Sequence, residues 1–222
     1  MRTHPSRPLA VAAAVLAALW AFVLLPPQHA VWSGADSPPW IAAIDALPIY
    51  RELRQWLSSI GLDDFYLTFG AAASVSFILI WYATGPTFAV LGWSGRVLGW
   101  LVLLSAPITF LSYLNHPTDA PLHWLWGAEA FALLLIGLWA VVAAVAPRTS
   151  AIPVWETALL AATLPIVFMA TIAFGYWPHG SLIGLGVEAS VLAAWAPRPS
   201  PSIHGATTHE VDRDEAHEEN EP

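Results

Sequence analysis

The sequence contains no cysteine and no lysine, and charged residues make up only 11% of its 222 residues. The absence of cysteine excludes disulfides, thiolate metal sites and cysteine nucleophiles. All eight basic residues are arginine, and a formal net charge of −8 excludes the basic surface that nucleic-acid binding requires. Residues 203–222 hold seven acids and one arginine, a net of −6, so the rest of the chain is nearly neutral.

Hydrophobic residues, by contrast, make up 57% of the chain, and the mean hydropathy is positive. This composition is typical of a polytopic membrane protein. The apolar runs predict an all-α bundle of six transmembrane helices at residues 9–25, 65–84, 97–114, 124–146, 153–174 and 182–196.

The first and last apolar runs leave alternatives open. Pro26 and Pro27 are expected to end the first run, which is either an uncleaved anchor or a cleaved signal sequence; in the second case five helices remain. The last run is short for a bilayer. It is extended through Gly180, thins the bilayer locally, or is shielded by its neighbours.

The arginines predict the orientation of the helices. If residues 1–8 are cytoplasmic, six arginines lie inside and only Arg51 and Arg54 lie outside, which follows the positive-inside rule. Residues 197–222 then form a cytoplasmic tail, which we expect to be disordered because it is acidic and poor in apolar residues. The orientation, the small size and the absence of lysine favour a bacterial plasma membrane.

An amphipathic segment is predicted at residues 37–62, between the first two membrane helices. Ile49, Leu53, Trp56, Leu57 and Ile60 recur at helical spacing, and polar residues fill the opposite face. Gly61 is expected to end this helix. The pattern predicts a helix on the outer membrane surface, acting either as a lid on the outer helix ends or as a helix for partner docking or lipid entry.

Two acids lie deep in the predicted helices, where a carboxylate is costly and often marks a path for ions or protons. Glu129 and Glu188 are expected at the same depth, about 8–9 Å below the outer edge. A line of small polar residues in the third helix points towards the same level and consists of Ser105, Thr109 and Ser112. These groups predict one cleft in the outer half of the bundle. The alternative is that both glutamates are protonated packing groups.

Histidines and an aspartate are predicted above this cleft. The candidate metal ligands are His116, Asp119, His123 and His179. Histidine with carboxylate is compatible with a divalent metal ion and equally with proton transfer, and the spacing has no metal signature. None of the eight histidines is expected inside a membrane helix, which argues against a buried haem held by paired histidines.

Three functions are compatible with these patterns. The first is a binding or transport protein that handles a cation or protons through the cleft. The second is an accessory subunit of a larger membrane complex, with other subunits and membrane lipid as partners. The third is an enzyme that acts on a lipid with a His/Glu acid–base pair. A serine-protease site at Gly92–Gly95 is excluded, since this GxSG segment is expected in a loop without a histidine base.

Overall fold

The computed structural model describes residues 5–146 and 152–195, and within them the regular structure is helical throughout, with no β-strand. Residues 1–4, 147–151 and 196–222, which include the predicted tail at 197–222, lie outside the described residues. Short 3-10 turns occur at Gly34–Asp36 and His123–Leu125. The α-helices are α1 (Arg7–Ser33), α2 (Pro39–Asp45), α3 (Pro48–Ser59), α4 (Phe65–Ala72), α5 (Ser74–Val90), α6 (Gly92–Leu114), α7 (Ala128–Val145), α8 (Val154–Ala161), α9 (Thr163–Phe174) and α10 (His179–Trp195).

Several helical segments are long and apolar enough to cross a membrane. Within the described residues there are four of them, Arg7–Asp36, Phe65–Val90, Gly92–Leu114 and His123–Val145. α8 and α9 meet at an angle of 51° and make a fifth if together they form one span. α10 has 17 residues, fewer than the ~20 that usually cross a bilayer. The protein is therefore an all-helical membrane protein with four to five candidate spans.

The sides of these helical segments that face away from the core of the bundle are apolar. Large hydrophobic side chains that would be costly to expose to water face outwards from most of the long helices. Lipid satisfies such a surface, since its acyl chains are as apolar as the side chains. Examples are Leu16, Leu19, Phe22, Ile78, Leu104, Phe131, Leu135 and Leu138.

The prediction that Pro26 and Pro27 end the first helix is wrong, because α1 continues to Ser33. A proline lacks the N–H that would bond to the carbonyl four residues earlier, so Pro27 leaves the carbonyl of Val23 free. The hydroxyl of Tyr50 in α3 donates to this carbonyl at 2.9 Å. A tertiary hydrogen bond therefore replaces the one that the helix loses.

We expect Tyr50→Phe to lower the free energy of unfolding by about 1–3 kcal/mol, because it leaves the Val23 carbonyl without a donor. Denaturant-induced unfolding in detergent measures the change. Tyr82→Phe is the matched control, since Tyr82 is 40% exposed on α5 and is expected to tolerate the loss of its hydroxyl. Equal stability of the two variants would show that the Tyr50 hydroxyl does not support α1.

The predicted surface segment at residues 37–62 forms two helices, α2 and α3. The Arg54 guanidinium joins them by bonding to both carboxylate oxygens of Asp45, at 2.7 and 3.2 Å. Leu57 packs into the core, whereas Ile49 and Trp56 are exposed on the predicted apolar face. The segment is thus anchored to the bundle and keeps apolar side chains on its surface.

α3 ends close to the predicted residue. Its last helical residue is Ser59, and Gly61 follows with a left-handed φ of 81°, which favours glycine. The N–H of Leu62 returns to the carbonyl of Leu57 at 3.0 Å and closes the helix end.

α10 lies at the centre of the bundle and packs most extensively on α1. Gly186 allows this contact, since a Cβ there would lie 2.7–2.9 Å from the backbone and Cβ of Ala18. On the side facing α9, a Cβ at Gly184 would lie 2.8 Å from Ala170. Small residues therefore let three helices approach closely, which is a common mode of helix association in membranes.

Helix boundaries also differ from the predicted ones in α6, in α7 and between α8 and α9. α7 begins at Ala128 and not at residue 124, because Gly127 adopts a left-handed φ of 84° that interrupts the helix. α6 begins at Gly92, so the GxSG segment forms a helical turn and not a loop. α8 and α9 separate at Ala162, where the ring of Pro165 conflicts with a continuous helix.

Candidate functional site

Four histidines lie at one end of the bundle, which we call the histidine end. His29 lies near the end of α1, and His179 is the first residue of α10; both are buried. His29 and His179 lie within helices and not in the expected loops, because α1 continues past its prolines and α10 begins earlier than predicted. His116 and His123 lie in the connection between α6 and α7 and are partly exposed.

Three tyrosines pack between these histidines. The ring of Tyr176 lies 5.6 Å from that of His29 and 5.4 Å from that of His179, measured between centroids. The ring of Tyr66 lies 4.9 Å from His116 and 5.2 Å from Tyr113. The hydroxyls of Tyr113 and Tyr176 are 3.4 Å apart and join the two groups.

These tyrosines are not among the predicted site residues. The available signal was that three of the five tyrosines lie at helix ends on the same predicted side of the membrane, at residues 66, 113 and 176. Gly70 leaves the space that Tyr113 occupies, since a Cβ at Gly70 would overlap the ring of Tyr113. The cluster is therefore built by close packing between α4 and α6.

Tyr176 occupies the centre of the cluster, in the connection between α9 and α10. Its hydroxyl accepts a hydrogen bond from Nε2 of Gln28 at 3.1 Å. Burial raises the pKa of Tyr176 far above its ordinary value, so the phenol stays protonated at neutral pH. A protonated phenol both donates and accepts hydrogen bonds, and Tyr176 can therefore link Gln28 to Tyr113.

His179 is the most deeply buried of the four histidines and is inaccessible to solvent. Neither of its ring nitrogens makes a hydrogen bond to any described residue. The backbone carbonyl of Phe69 faces the ring but lies outside hydrogen-bond geometry. Buried polar atoms are usually paired, and an unpaired imidazole carries the cost of desolvation. His179 thus offers one donor and one acceptor that the described protein does not use.

His116 marks the exposed edge of the cluster. Its Nδ1 lies 2.9 Å from the carbonyl oxygen of Tyr113, and its Nε2 lies 3.5 Å from a carboxylate oxygen of Asp64. Asp64 also caps α4 by accepting from the N–H of Leu67 at 2.9 Å. The partner of His116 is therefore an exposed aspartate, and not the glutamate of the predicted His/Glu pair.

Glu129 also lies at the histidine end, in the first turn of α7. Its side chain is 6% exposed, and its Oε2 has no hydrogen-bond partner among the described residues. The hydroxyl of Ser112 lies beside the carboxyl group and accepts from the N–H of Gly127 at 2.9 Å. A helix N-terminus favours negative charge, so this position partly offsets the cost of burying an acid.

Glu188 lies elsewhere, so the prediction that both glutamates share one depth is wrong. It lines a small cavity together with Ile136 and Ala140 of α7, which lie seven and eleven residues beyond Glu129. At 1.5 Å per residue, this places the cavity roughly 10–16 Å farther along α7 than Glu129. The prediction failed because Gly127 delays the start of α7 and His179 advances that of α10.

The polar residues predicted along the third helix face the interior. Ser105, Thr109 and Ser112 of α6 are all buried. Ser105 donates to the carbonyl of Leu101 at 2.7 Å, while the hydroxyl of Thr109 has no partner in the described part of the chain. α6 therefore carries a buried polar line from the level of Glu129 into the bundle.

The predicted metal ligands do not converge. Among residues 5–146 and 152–195, no group of three or more His, Asp or Glu side chains is placed to hold a metal ion. His179 faces Tyr176 inside the bundle, whereas Asp119 is exposed in the loop. His123 stacks on Trp126, and its Nδ1 lies 3.2 Å from the carbonyl of Asn115. These separate environments do not form the predicted metal centre.

Comparison of the chain with protein-family models, with curated proteins and with solved structures gives no match. The function is therefore inferred from the geometry of the cluster and of the two buried glutamates.

Proposed function

We propose that this membrane protein takes up and conducts protons through the histidine end, with His179 and Glu129 as the buried proton-binding groups. The observation that carries the proposal is that His179 is fully buried with both ring nitrogens unpaired in the described residues. A neutral imidazole donates a hydrogen bond at one ring nitrogen and accepts at the other, so it can pass on a proton without remaining charged. Acids within membrane helices commonly belong to proton paths.

The neighbouring groups support a route from the surface to these residues. His116 and Asp64 form a partly exposed pair at the edge of the cluster. Tyr66 contacts both His116 and Tyr113, and the Tyr113 hydroxyl approaches that of Tyr176. Hydroxyls and imidazoles both donate and accept, as a proton relay requires. Protons are favoured over a metal ion, since no ligand set converges in the described residues.

The proposal includes a topology of six spans, in which α8 with α9 forms the fifth and α10 the sixth. The histidine end then faces the outside, α3 lies on the outer surface, and both chain ends are cytoplasmic. The six-to-two distribution of arginines supports this orientation. A bacterial plasma membrane is the proposed location, and membrane lipid contacts the apolar exterior.

Proton flux into liposomes tests the proposed function. The full chain is reconstituted in vesicles that contain a pH-sensitive dye, and a potassium gradient with valinomycin drives proton entry. We expect Glu129→Gln to reduce the flux by roughly 100-fold, the scale on which a positioned proton-transfer group contributes. The folded fraction, measured by size exclusion in detergent, should remain that of the unaltered protein.

Glu52→Gln is the matched control, because Glu52 is exposed on α3 and does not belong to the cluster of histidines and tyrosines. It should leave the flux unchanged. Flux no greater than in empty vesicles, or equal flux for the two variants, would reject proton conduction through Glu129. The accessory-subunit hypothesis would then be favoured, supported by the exposed apolar residues Ile49 and Trp56 on α3 and Ile60 directly after it.

A further inference from the structure

Glu188 lies in the half of the bundle away from the histidine end. The cavity that it lines is also bordered by Phe88, near the end of α5, and by Leu98, in the second turn of α6. These two helices meet at Leu91, at the end opposite to the histidines. Glu188 is itself nine residues, or roughly 13–14 Å, from His179 along α10. It is thus spatially separate from the cluster described above.

A break in the helical path brings a hydroxyl to this acid. α8 ends at Ala161 and α9 begins at Thr163, with a bend of 51° between them. The Thr163 hydroxyl lies 2.7 Å from Oε1 of Glu188 and 2.8 Å from the carbonyl oxygen of Leu160. Broken helices in membrane proteins recur where ions or protons bind, because they present groups that a continuous helix hides.

The two distances at the Thr163 hydroxyl fit a protonated Glu188. A hydroxyl has one hydrogen to donate, yet the Thr163 oxygen is within bonding distance of two acceptor groups. If Glu188 is protonated, its O–H donates to Thr163, and Thr163 donates to the carbonyl of Leu160. Each hydrogen in this series of bonds then has one acceptor, whereas an ionised Glu188 would compete with Leu160 for the same hydrogen.

The cavity beside Glu188 has room for water. Its volume is about 20 Å³, which exceeds the 10–15 Å³ or so that one water molecule needs. Oε2 of Glu188 has no hydrogen-bond partner among the described residues, although the side chain is only 5% exposed. A water in the cavity can bond to Oε2 and to the hydroxyl of Thr84, which also lines the space.

No described basic residue lines the cavity to balance the negative charge of an ionised Glu188. Its lining comes from α5, α6, α7, α8, α9 and α10, and within these described helices Glu188 is the only titratable residue that borders it. An isolated carboxylate in such surroundings is expensive, while a neutral carboxylic acid is not. Coordination of a metal ion would need several more oxygens than the two hydroxyls and one carboxyl present here.

We infer that Glu188, Thr163 and the adjoining cavity form a second proton-binding site, in the half of the membrane opposite the histidine end. The inference rests on the proposed proton conduction and adds a second proton-binding site to the conduction path. The polar line of α6 lies between the two acids: Ser112 is beside Glu129, and Ser105 is one turn from Val102, which borders the cavity. Protons bound at Glu129 reach Glu188 along this line and leave towards the opposite side.

Infrared difference spectroscopy tests whether Glu188 holds an exchangeable proton. The full chain with Glu129→Gln is compared with the same chain that also carries Glu188→Gln, in detergent at neutral pH. We expect the carbonyl band of a protonated carboxylic acid in the first sample and its loss in the second. The band should shift in D₂O, because water in the cavity exchanges the proton. Thr163→Val should move it to higher frequency, since the O–H of the acid loses its hydrogen-bond acceptor.

Glu156→Gln in the same background is the control, because Glu156 is also buried but lies in α8 away from the cavity lining. It should retain the band that Glu188→Gln removes. A spectrum without that band, or a band insensitive to D₂O, would overturn the site at Glu188. Because the spectrum needs no flux, a failure of proton conduction with the band intact would reject the path and leave the proton site standing.

Discussion

Replacing Glu188 with leucine is expected to reduce proton flux by roughly 100-fold while leaving the free energy of unfolding unchanged or higher. The reason is an asymmetry in the hydrogen bonds. Thr163 keeps its bond to the carbonyl of Leu160 when Glu188 is removed, so no buried group loses its only partner. The variant also removes a polar side chain from apolar surroundings, and such replacements are often neutral or stabilising. Vesicle flux and denaturant-induced unfolding measure the two effects.

Thr163→Val is the complementary variant. It leaves both oxygens of Glu188 buried without a protein partner in the described chain, which should cost about 1–3 kcal/mol of unfolding free energy. If Glu188 served only in packing, its replacement by leucine would lower the stability and leave the proton flux unchanged. If Glu188→Leu lowers stability as much as Thr163→Val and leaves the flux intact, Glu188 is a structural residue and has no part in conduction.

Gly186→Leu is expected to separate α1 from α10 and to lower the free energy of unfolding by about 3 kcal/mol or more. The new Cβ alone would lie 2.7 Å from the backbone nitrogen of Ala18, and backbone atoms cannot yield as a flexible side chain does. α10 contacts α1, α5 and α9, so a displacement at this position spreads to three interfaces. Unfolding in detergent measures the loss, and size exclusion detects the misfolded fraction.

Gly85→Leu is the matched control, because Gly85 is also helical and a Cβ there meets no atom within 4 Å. Leucine has the higher helix propensity, but the ring of the following Pro86 opposes a Cβ at this position, so this variant should change stability by less than about 1 kcal/mol. Equal tolerance of both substitutions would show that α1 and α10 do not approach as closely as the structure indicates.

The helix boundaries show where local patterns fail. The apolar runs located the four described helical segments that are long enough to cross a membrane, since burial in lipid requires about 20 apolar residues whatever the partner helices are. Pro26 and Pro27 did not end α1, because Tyr50 supplies the hydrogen bond that the helix loses. Gly127 interrupted a run that looked continuous, because its left-handed backbone places an N–H on Ser112. Both outcomes depend on a residue distant in the chain.

In the candidate site, too, some features were predictable from local patterns and others were not. Spacing of three and four residues was enough to place Ser105, Thr109 and Ser112 on one face of α6, and that face is buried. The grouping of acids and histidines was not predictable, because it depends on where each helix begins and on which neighbour it meets. His116 contacts Asp64, and Glu188 meets Thr163 at a break that a hydropathy pattern does not reveal.

Composition and periodicity alone therefore establish an all-helical membrane protein and the buried face of α6, because lipid solvation and helical geometry act on each segment separately. The pairing of groups is set by tertiary packing. Glycines such as Gly186 fix how closely two helices approach, and that distance determines which polar atoms meet and which remain unpaired. The two separate glutamates and the histidine–tyrosine cluster arise at this level, since a buried polar group is defined by its neighbours in space and not by those in sequence.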